Sequence, residues 1–212
     1  MSEKKDSTSL WIAIIGFSLL ILVVLSFFWV NYYSGNAHDY EGKNGKFNFH
    51  KLEVSGITFY QISAFFDGTE YLYGFRNHPS DLEDIYLENN VYNKLNKDKE
   101  NDVIYVTRDS TLGDVTGGRS TLAISAFEQI LTGRESIYQF SNLSNVYTTN
   151  VSASLPVITC EDVNEISSVI YVKIGQESKI YSQNGCIIIE GKGTEDLIRV
   201  SEKFAYHLLG VF

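Results

Sequence analysis

Three short apolar runs decide the fold: Val169-Ile-Tyr-Val-Lys-Ile174, Lys179-Ile-Tyr-Ser-Gln183 and Cys186-Ile-Ile-Ile-Glu190. They are strand-length, rich in β-branched residues, and separated by Gly175-Gln-Glu-Ser178 and Asn184-Gly185. An Asn-Gly pair between two such runs is a strong type I′ hairpin signal, because both turn positions need positive φ. A helical pattern follows at once. Thr194 stands at its start as a cap, Glu195 and Asp196 sit at the positive end of its dipole, and Gly210 stops it. Leu197, Phe204, Ala205, Leu208 and Leu209 form its apolar face. A β-meander closed by a helix predicts an α+β domain, with helices packed on a mostly antiparallel or mixed sheet.

Upstream the same reading holds. Phe47–Val54, Ile57–Phe66 and Glu70–Phe75 are β-rich, with turns at Ser55-Gly56 and Asp67-Gly68. His78-Pro79-Ser80-Asp81 leads into a short helix or loop near Leu82–Ile85, and Asn89–Asn101 is a polar connection. Asp102–Thr107 is a further strand. Ala123, Ala126, Phe127, Ile130 and Leu131 recur with helical period, with Ser120 or Thr121 as cap and Gly133 past the end. The strand–loop–helix order at 102–132 leaves an α/β arrangement open. Phe59, Tyr60, Phe65, Phe66, Tyr71, Tyr73 and Phe75 alternate along the early strands, so some point away from a common core. Those either lie under a helix or form a partner surface.

Before all of this runs Leu10–Val30, LWIAIIGFSLLILVVLSFFWV, without a charge. As a helix it is roughly 31 Å long at ~1.5 Å per residue, the thickness of a bilayer core. Trp11, Trp29, Tyr32 and Tyr33 bracket it as an interfacial belt. It is longer than a signal-peptide core, and no small-x-small cleavage site follows. The sequence therefore predicts a cytoplasmic tail (1–9), a transmembrane helix (10–30), a Gly- and Asn-rich linker (31–46) and an extracytoplasmic domain (47–212). Lys4 and Lys5 lean the N-terminus towards the cytoplasm. The sequons Asn142-Leu-Ser144 and Asn150-Val-Ser152 agree with an external domain.

The chain has 212 residues, 17 Lys+Arg against 26 Asp+Glu, and a formal charge of −9, which denies it the basic footprint of a nucleic-acid binder. With 44% hydrophobic residues it is not a disordered chain. It lacks G-x-S-x-G, H-E-x-x-H, G-x-x-x-x-G-K-[ST] and the EF-hand pattern, so no catalytic constellation, metal or cofactor is called for. His38, His50, His78 and His207 show no ligand spacing. Glu161-Asp162-Val-Asn164-Glu165 offers hard oxygens for Ca²⁺ but matches no binding loop, and reads better as an acidic surface turn.

Two features remain as candidate sites. The loop from Arg108 through Gly117-Gly118 to Arg119, Ser120 and Thr121 can be an anion cradle at a helix start, with both arginines as contacts, or a plain connection. Cys160 and Cys186, the only cysteines, can be a disulfide, a nucleophile served by His207, or inert buried thiols. An even pair in an oxidising location favours the disulfide.

Ile57-Thr-Phe-Tyr60, Tyr71-Leu-Tyr-Gly-Phe-Arg-Asn77 with Pro79 and Leu82, Val157-Ile-Thr-Cys-Glu-Asp162, Val169-Ile170 and the ending Cys186-Ile-Ile-Ile189, Asp196-Leu-Ile-Arg199 and Leu208-Leu-Gly-Val-Phe212 together resemble a group of small, uncharacterised archaeal membrane-anchored surface proteins. The chain departs from that group at His78 and at Ser201-Glu202. The resemblance implies one N-terminal span, an extracytoplasmic domain and a bonded Cys160–Cys186 pair, and carries over no catalytic residue. The functional expectation is a membrane-anchored module that binds a protein partner or joins an envelope assembly. An anion-binding protein or enzyme using the 108–121 loop is the alternative. A pilin-like filament subunit comes third, because the small residue and the early Glu of a prepilin start are missing.

Overall fold

A computed structural model describes residues 14–26, 37–89, 91–95, 102–112, 118–133, 136–150 and 156–212. The chain divides into two compact units, Met1–His38 and Asp39–Phe212. In the first unit, residues 14–26 form helix α1, every side chain of which is exposed. At ~1.5 Å per residue this helix is roughly 20 Å long. Among the described residues no helix is long and apolar enough to cross a membrane. The two ends of the expected span, 10–13 and 27–30, lie outside the described residues, together with Trp11, Trp29, Tyr32 and Tyr33.

Among the described residues the rest is α+β, built of two sheets and the helices packed on them. Strands β1 (Ala37–Gly42), β2 (Gly45–Val54), β3 (Ile57–Phe66) and β4 (Thr69–Phe75) form one sheet in that order. Its β2–β3 and β3–β4 turns have positive φ at both central residues: Ser55 and Gly56, then Asp67 and Gly68. This is the primed-turn geometry that matches the twist of a hairpin. β1 corrects the reading of 31–46 as a linker. His38-Asp-Tyr-Glu41 carries no apolar alternation, yet an edge strand needs only backbone pairing. The Lys43-Asn44 turn is pinned from the far end of the chain: Lys43 N donates to Val211 O at 2.9 Å and Asn44 Nδ2 to Gly210 O at 2.8 Å.

The second sheet is mixed. It holds β5 (Tyr86–Leu87), β6 (Val103–Arg108), β7 (Asn142–Tyr147), β8 (Ser167–Ile174), β9 (Lys179–Gln183) and β10 (Cys186–Gly191), in the order β5-β9-β10-β8-β6-β7. β9 and β10 form the expected hairpin, with Asn184 and Gly185 at φ 53° and 82°. The meander itself is corrected. β10 pairs in parallel with β8 and so lies between β8 and β9. β6, helix α2 (Arg119–Leu131) and β7 make a parallel crossover unit, and β6 also pairs in parallel with β8.

Helix α3 (Thr194–Leu208) is the centre of the fold. A single buried stripe was expected, but every residue from Val200 to Leu208 is buried. Phe204 packs edge-on against Phe127 of α2, at 5.5 Å between ring centroids. Tyr206 meets Phe75 at 4.3 Å and Phe49 at 5.7 Å, both from the four-stranded sheet. Other residues of α3 pack on β10. Three of its buried polar side chains, Glu202, Lys203 and Tyr206, are satisfied by groups distant in the sequence. Glu202 accepts hydrogen bonds from Arg76 N (2.7 Å), Asn77 N (3.0 Å) and Asn77 Nδ2 (2.6 Å). Lys203 Nζ donates to Leu82 O at 2.8 Å and lies over the Phe212 ring. Tyr206 Oη donates to Asn77 O at 2.9 Å.

The caps differ from expectation. Gly118 and Gly193 precede α2 and α3, while Ser120 and Thr194 sit inside the helices. Just past β8, a Cβ on Gly175 would meet the Glu190 side chain, which would have to shift to admit it. The sheet face turned away from the helices is closed by residues 158–163, where Ile158, Cys160 and Val163 pack on Val169, Cys186 and Ile188.

Candidate functional site

In an open sheet with parallel strands, ligands bind beyond the carboxyl ends of neighbouring strands whose connections leave in opposite directions. β6 and β8 are such a pair, because β6 leaves through α2 towards β7 and β8 leaves towards β9 on the other side. The residues there are Arg108, the last of β6, with Asp109 after it, Tyr147, the last of β7, with Thr148 after it, and Tyr171 of β8.

Strand alternation sends them to two faces. Arg108 follows Ile104 and Val106 on the helix side, where it meets its register partner Tyr147. Its guanidinium lies 5.3 Å over the Tyr147 ring and donates to the Tyr147 oxygen at 3.4 Å. On the same side, Glu128 of α2 accepts from Asn145 Nδ2 at 2.7 Å. Burial raises the Glu128 carboxyl above its ordinary value, and Asn145 and the Arg108 charge oppose the rise. Asp109 belongs to the opposite face, with Tyr105 and Tyr171. Its Oδ1 accepts from Tyr171 Oη and from Thr148 Oγ1, each at 2.8 Å. Burial, then the Asp109 carboxylate, raises the Tyr171 phenol, so it stays a neutral donor. Asp109, Thr148 and Tyr171 were not singled out from the sequence. The available signal was Asp109 itself, an acid directly after an apolar strand.

The other half of the expected cradle is placed differently. Arg119 opens α2 and forms an ion pair at 2.5 Å with Glu195, which lies in the first turn of α3. Ser120 is buried and Thr121 is exposed. Residues 113–117, including Gly117, lie outside the described residues. Arg108 and Arg119 thus have separate partners, one aromatic and one acidic.

Cys160 and Cys186 are bonded to each other, with Cα atoms 5.2 Å apart. The bond ties a short 3-10 turn, Cys160–Asp162, to the first residue of β10. It also settles the nucleophile question: neither sulfur is a free thiol. The acidic turn beside it is used locally. Asp162 Oδ2 accepts from Thr159 N and Oγ1, and Asn164 Oδ1 from Ile166 N. Among the described residues no three His, Cys, Asp or Glu side chains gather as metal ligands. Asn142 is exposed at the start of the edge strand β7. Asn150 is exposed too, and Ser152 of its sequon lies outside the described residues.

No protein-family model, no curated protein and no solved structure matches the chain. Residue geometry is therefore the sole guide to its chemistry.

That geometry singles out one further group, His207. It is 8% exposed and lines a hollow of about 320 Å³ with Lys43, Asn44, Tyr92 and Tyr138. Its Nδ1 lies 3.0 Å from Phe212 O, which assigns the proton to Nδ1, and its ring meets Tyr92 edge-on. Burial pushes the imidazole below its ordinary value of 6.5. The unfolded chain then takes up a proton before the folded one does. Stability is accordingly lost as the pH falls below about 6.5 and through the folded value. Urea melts at stepped pH should show this loss, and His207→Gln should flatten it. An unchanged slope in the variant would assign the loss to other groups.

Proposed function

We propose that the chain is an extracytoplasmic binding or envelope-assembly module without catalytic activity, held to the membrane by its N-terminal segment with the N-terminus inside. One observation carries this reading: the Cys160–Cys186 cross-link lies in a unit that follows an uncharged stretch of bilayer length. Such bonds persist in oxidising compartments, and a span-length stretch supplies a direct route to one. Kinship with the archaeal anchored proteins is proposed on the same plan. Protease added to intact cells should digest residues 31–212 and spare the tail before the apolar stretch. Full protection of the folded unit until lysis would overturn the topology, and the external role with it.

A second reading, a small-anion site, is favoured by Arg108 at the carboxyl ends of parallel strands. Millimolar phosphate or sulfate should then raise the melting temperature, and Arg108→Ala should abolish the rise. Arg119→Ala should leave unliganded stability within about 0.5 kcal/mol, because its partner Glu195 is an exposed surface acid. Absence of any anion-induced rise would retire this reading.

A further inference from the structure

We propose that the tip of the β2–β3 hairpin is a lipid-contacting element that seats the folded unit on the bilayer surface. This rests on the membrane-anchored reading above. In the four-stranded sheet, the row Phe49, Ile62 and Tyr73 is buried against α3. Alternation therefore sends Leu52, Val54, Ile57 and Phe59 to the outward face. They form two directly opposed pairs, Leu52 with Phe59 and Val54 with Ile57. Leu52, Val54 and Ile57 are 43%, 56% and 42% exposed. A polar band of His50, Gln61 and Gly74 crosses the same face and separates this patch from Leu72 and Phe65, which are 58% and 74% exposed towards the other end of the sheet.

The route of the chain identifies the occupant. The two-residue turn Lys43-Asn44 makes β1 and β2 an antiparallel hairpin, so Ala37 enters the sheet at the end that carries Ser55-Gly56. β1 is 6 residues long and β2 is 10, which leaves the outer part of β2 projecting past β1. Only residues 31–36 separate the apolar stretch from Ala37. At ~3.5 Å per extended residue, that connection reaches roughly 20 Å at most. The connection limits how far Ala37 can stand from the end of the apolar stretch, and the tip is at the end of the sheet where Ala37 enters. Its charges, Lys51 and Glu53, cancel, whereas the whole chain carries −9. The tip is a part of the surface that anionic headgroups do not repel.

The test uses the full chain in vesicles of phosphatidylcholine and phosphatidylglycerol carrying shallow or deep nitroxide lipids. The native cysteines are bonded, so one added cysteine gives one labelling site. An environment-sensitive fluorophore is placed in turn at Val54→Cys, Phe65→Cys and Ser18→Cys. The expected result is blue-shifted emission at position 54, quenched mainly by the shallow nitroxide. Position 65, at the other end of β3, should be unquenched, and position 18 should be quenched by the deep probe. Quenching at 18 but not at 54 overturns the tip while leaving the anchor standing. Equal quenching at 54 and 65 overturns the tip as a distinct element. No quenching at 18 removes the anchor, and the lipid contact with it. A blue shift at 54 that no nitroxide quenches means that protein covers the tip, and overturns lipid as its occupant.

Discussion

Glu202→Ala is expected to lower the stability of the folded unit by about 4 kcal/mol, enough to unfold a marginal domain. The carboxylate accepts from Arg76 N, Asn77 N and Asn77 Nδ2, and the residue is 3% exposed. Its removal leaves three donors without an acceptor in a region that water does not reach, together with a void beside α3. Urea denaturation measures the loss. Glu202→Gln keeps the shape but turns an amide donor towards donors, so it should cost less than alanine and still be plainly destabilising. The wild-type pH dependence adds a second check. Burial raises the Glu202 carboxyl above its ordinary 4.5, so its stabilising contribution is largest below that value and declines as the pH rises through the folded value. Glu202→Gln should remove that decline. A near-neutral alanine variant would mean that the 76–77 backbone finds other acceptors.

Breaking the Cys160–Cys186 bond should have the next largest effect. Closure of a loop with a sequence separation of 26 is worth roughly 3.5 kcal/mol in the chain-entropy model. For a unit of this size that corresponds to a fall of about 10 °C in melting temperature. The paired Cys160→Ser, Cys186→Ser variant and the reduced wild type should melt together, since both lose the same constraint. A fall of less than about 2 °C would mean that the packing of Ile158 and Val163 on Val169 and Ile188 already holds the segment without it.

The elements of this fold were legible wherever the cause is local. Asp67-Gly68 and Asn184-Gly185 specify their hairpins because both turn positions need positive φ, and the helical periods of α2 and α3 follow from spacing alone. Adjacency was not legible. Nothing in Val169–Glu190 says that β10 enters between β8 and β9, since that choice is made by packing across the sheet. Glu202, Lys203 and His207 lie off the apolar face that spacing identifies, and their burial depends on partners at Arg76, Asn77, Leu82 and Phe212 that only tertiary structure supplies. β1 escaped notice for the same reason, as edge pairing leaves little mark on side-chain pattern. At the candidate site, Arg108 and Arg119 were legible as cations near a glycine-rich turn. Their separation onto Tyr147 and Glu195, and the cluster of Asp109 with Thr148 and Tyr171, depend on which strands lie side by side.

The central position of α3 has a consequence for how the polypeptide comes to be folded. α3 follows every strand in chain order, yet both sheets rest their apolar faces on it. Phe49 and Phe75 meet Tyr206 only after more than half of the sequence has passed. Early hairpins can form as they emerge and α2 can pack on β6 and β7, but the contacts that α3 makes with both layers are long-range and close late. A nascent chain halted before Thr194 therefore leaves apolar surface of both sheets uncovered, the condition in which strands pair with the wrong neighbour and holding factors are needed.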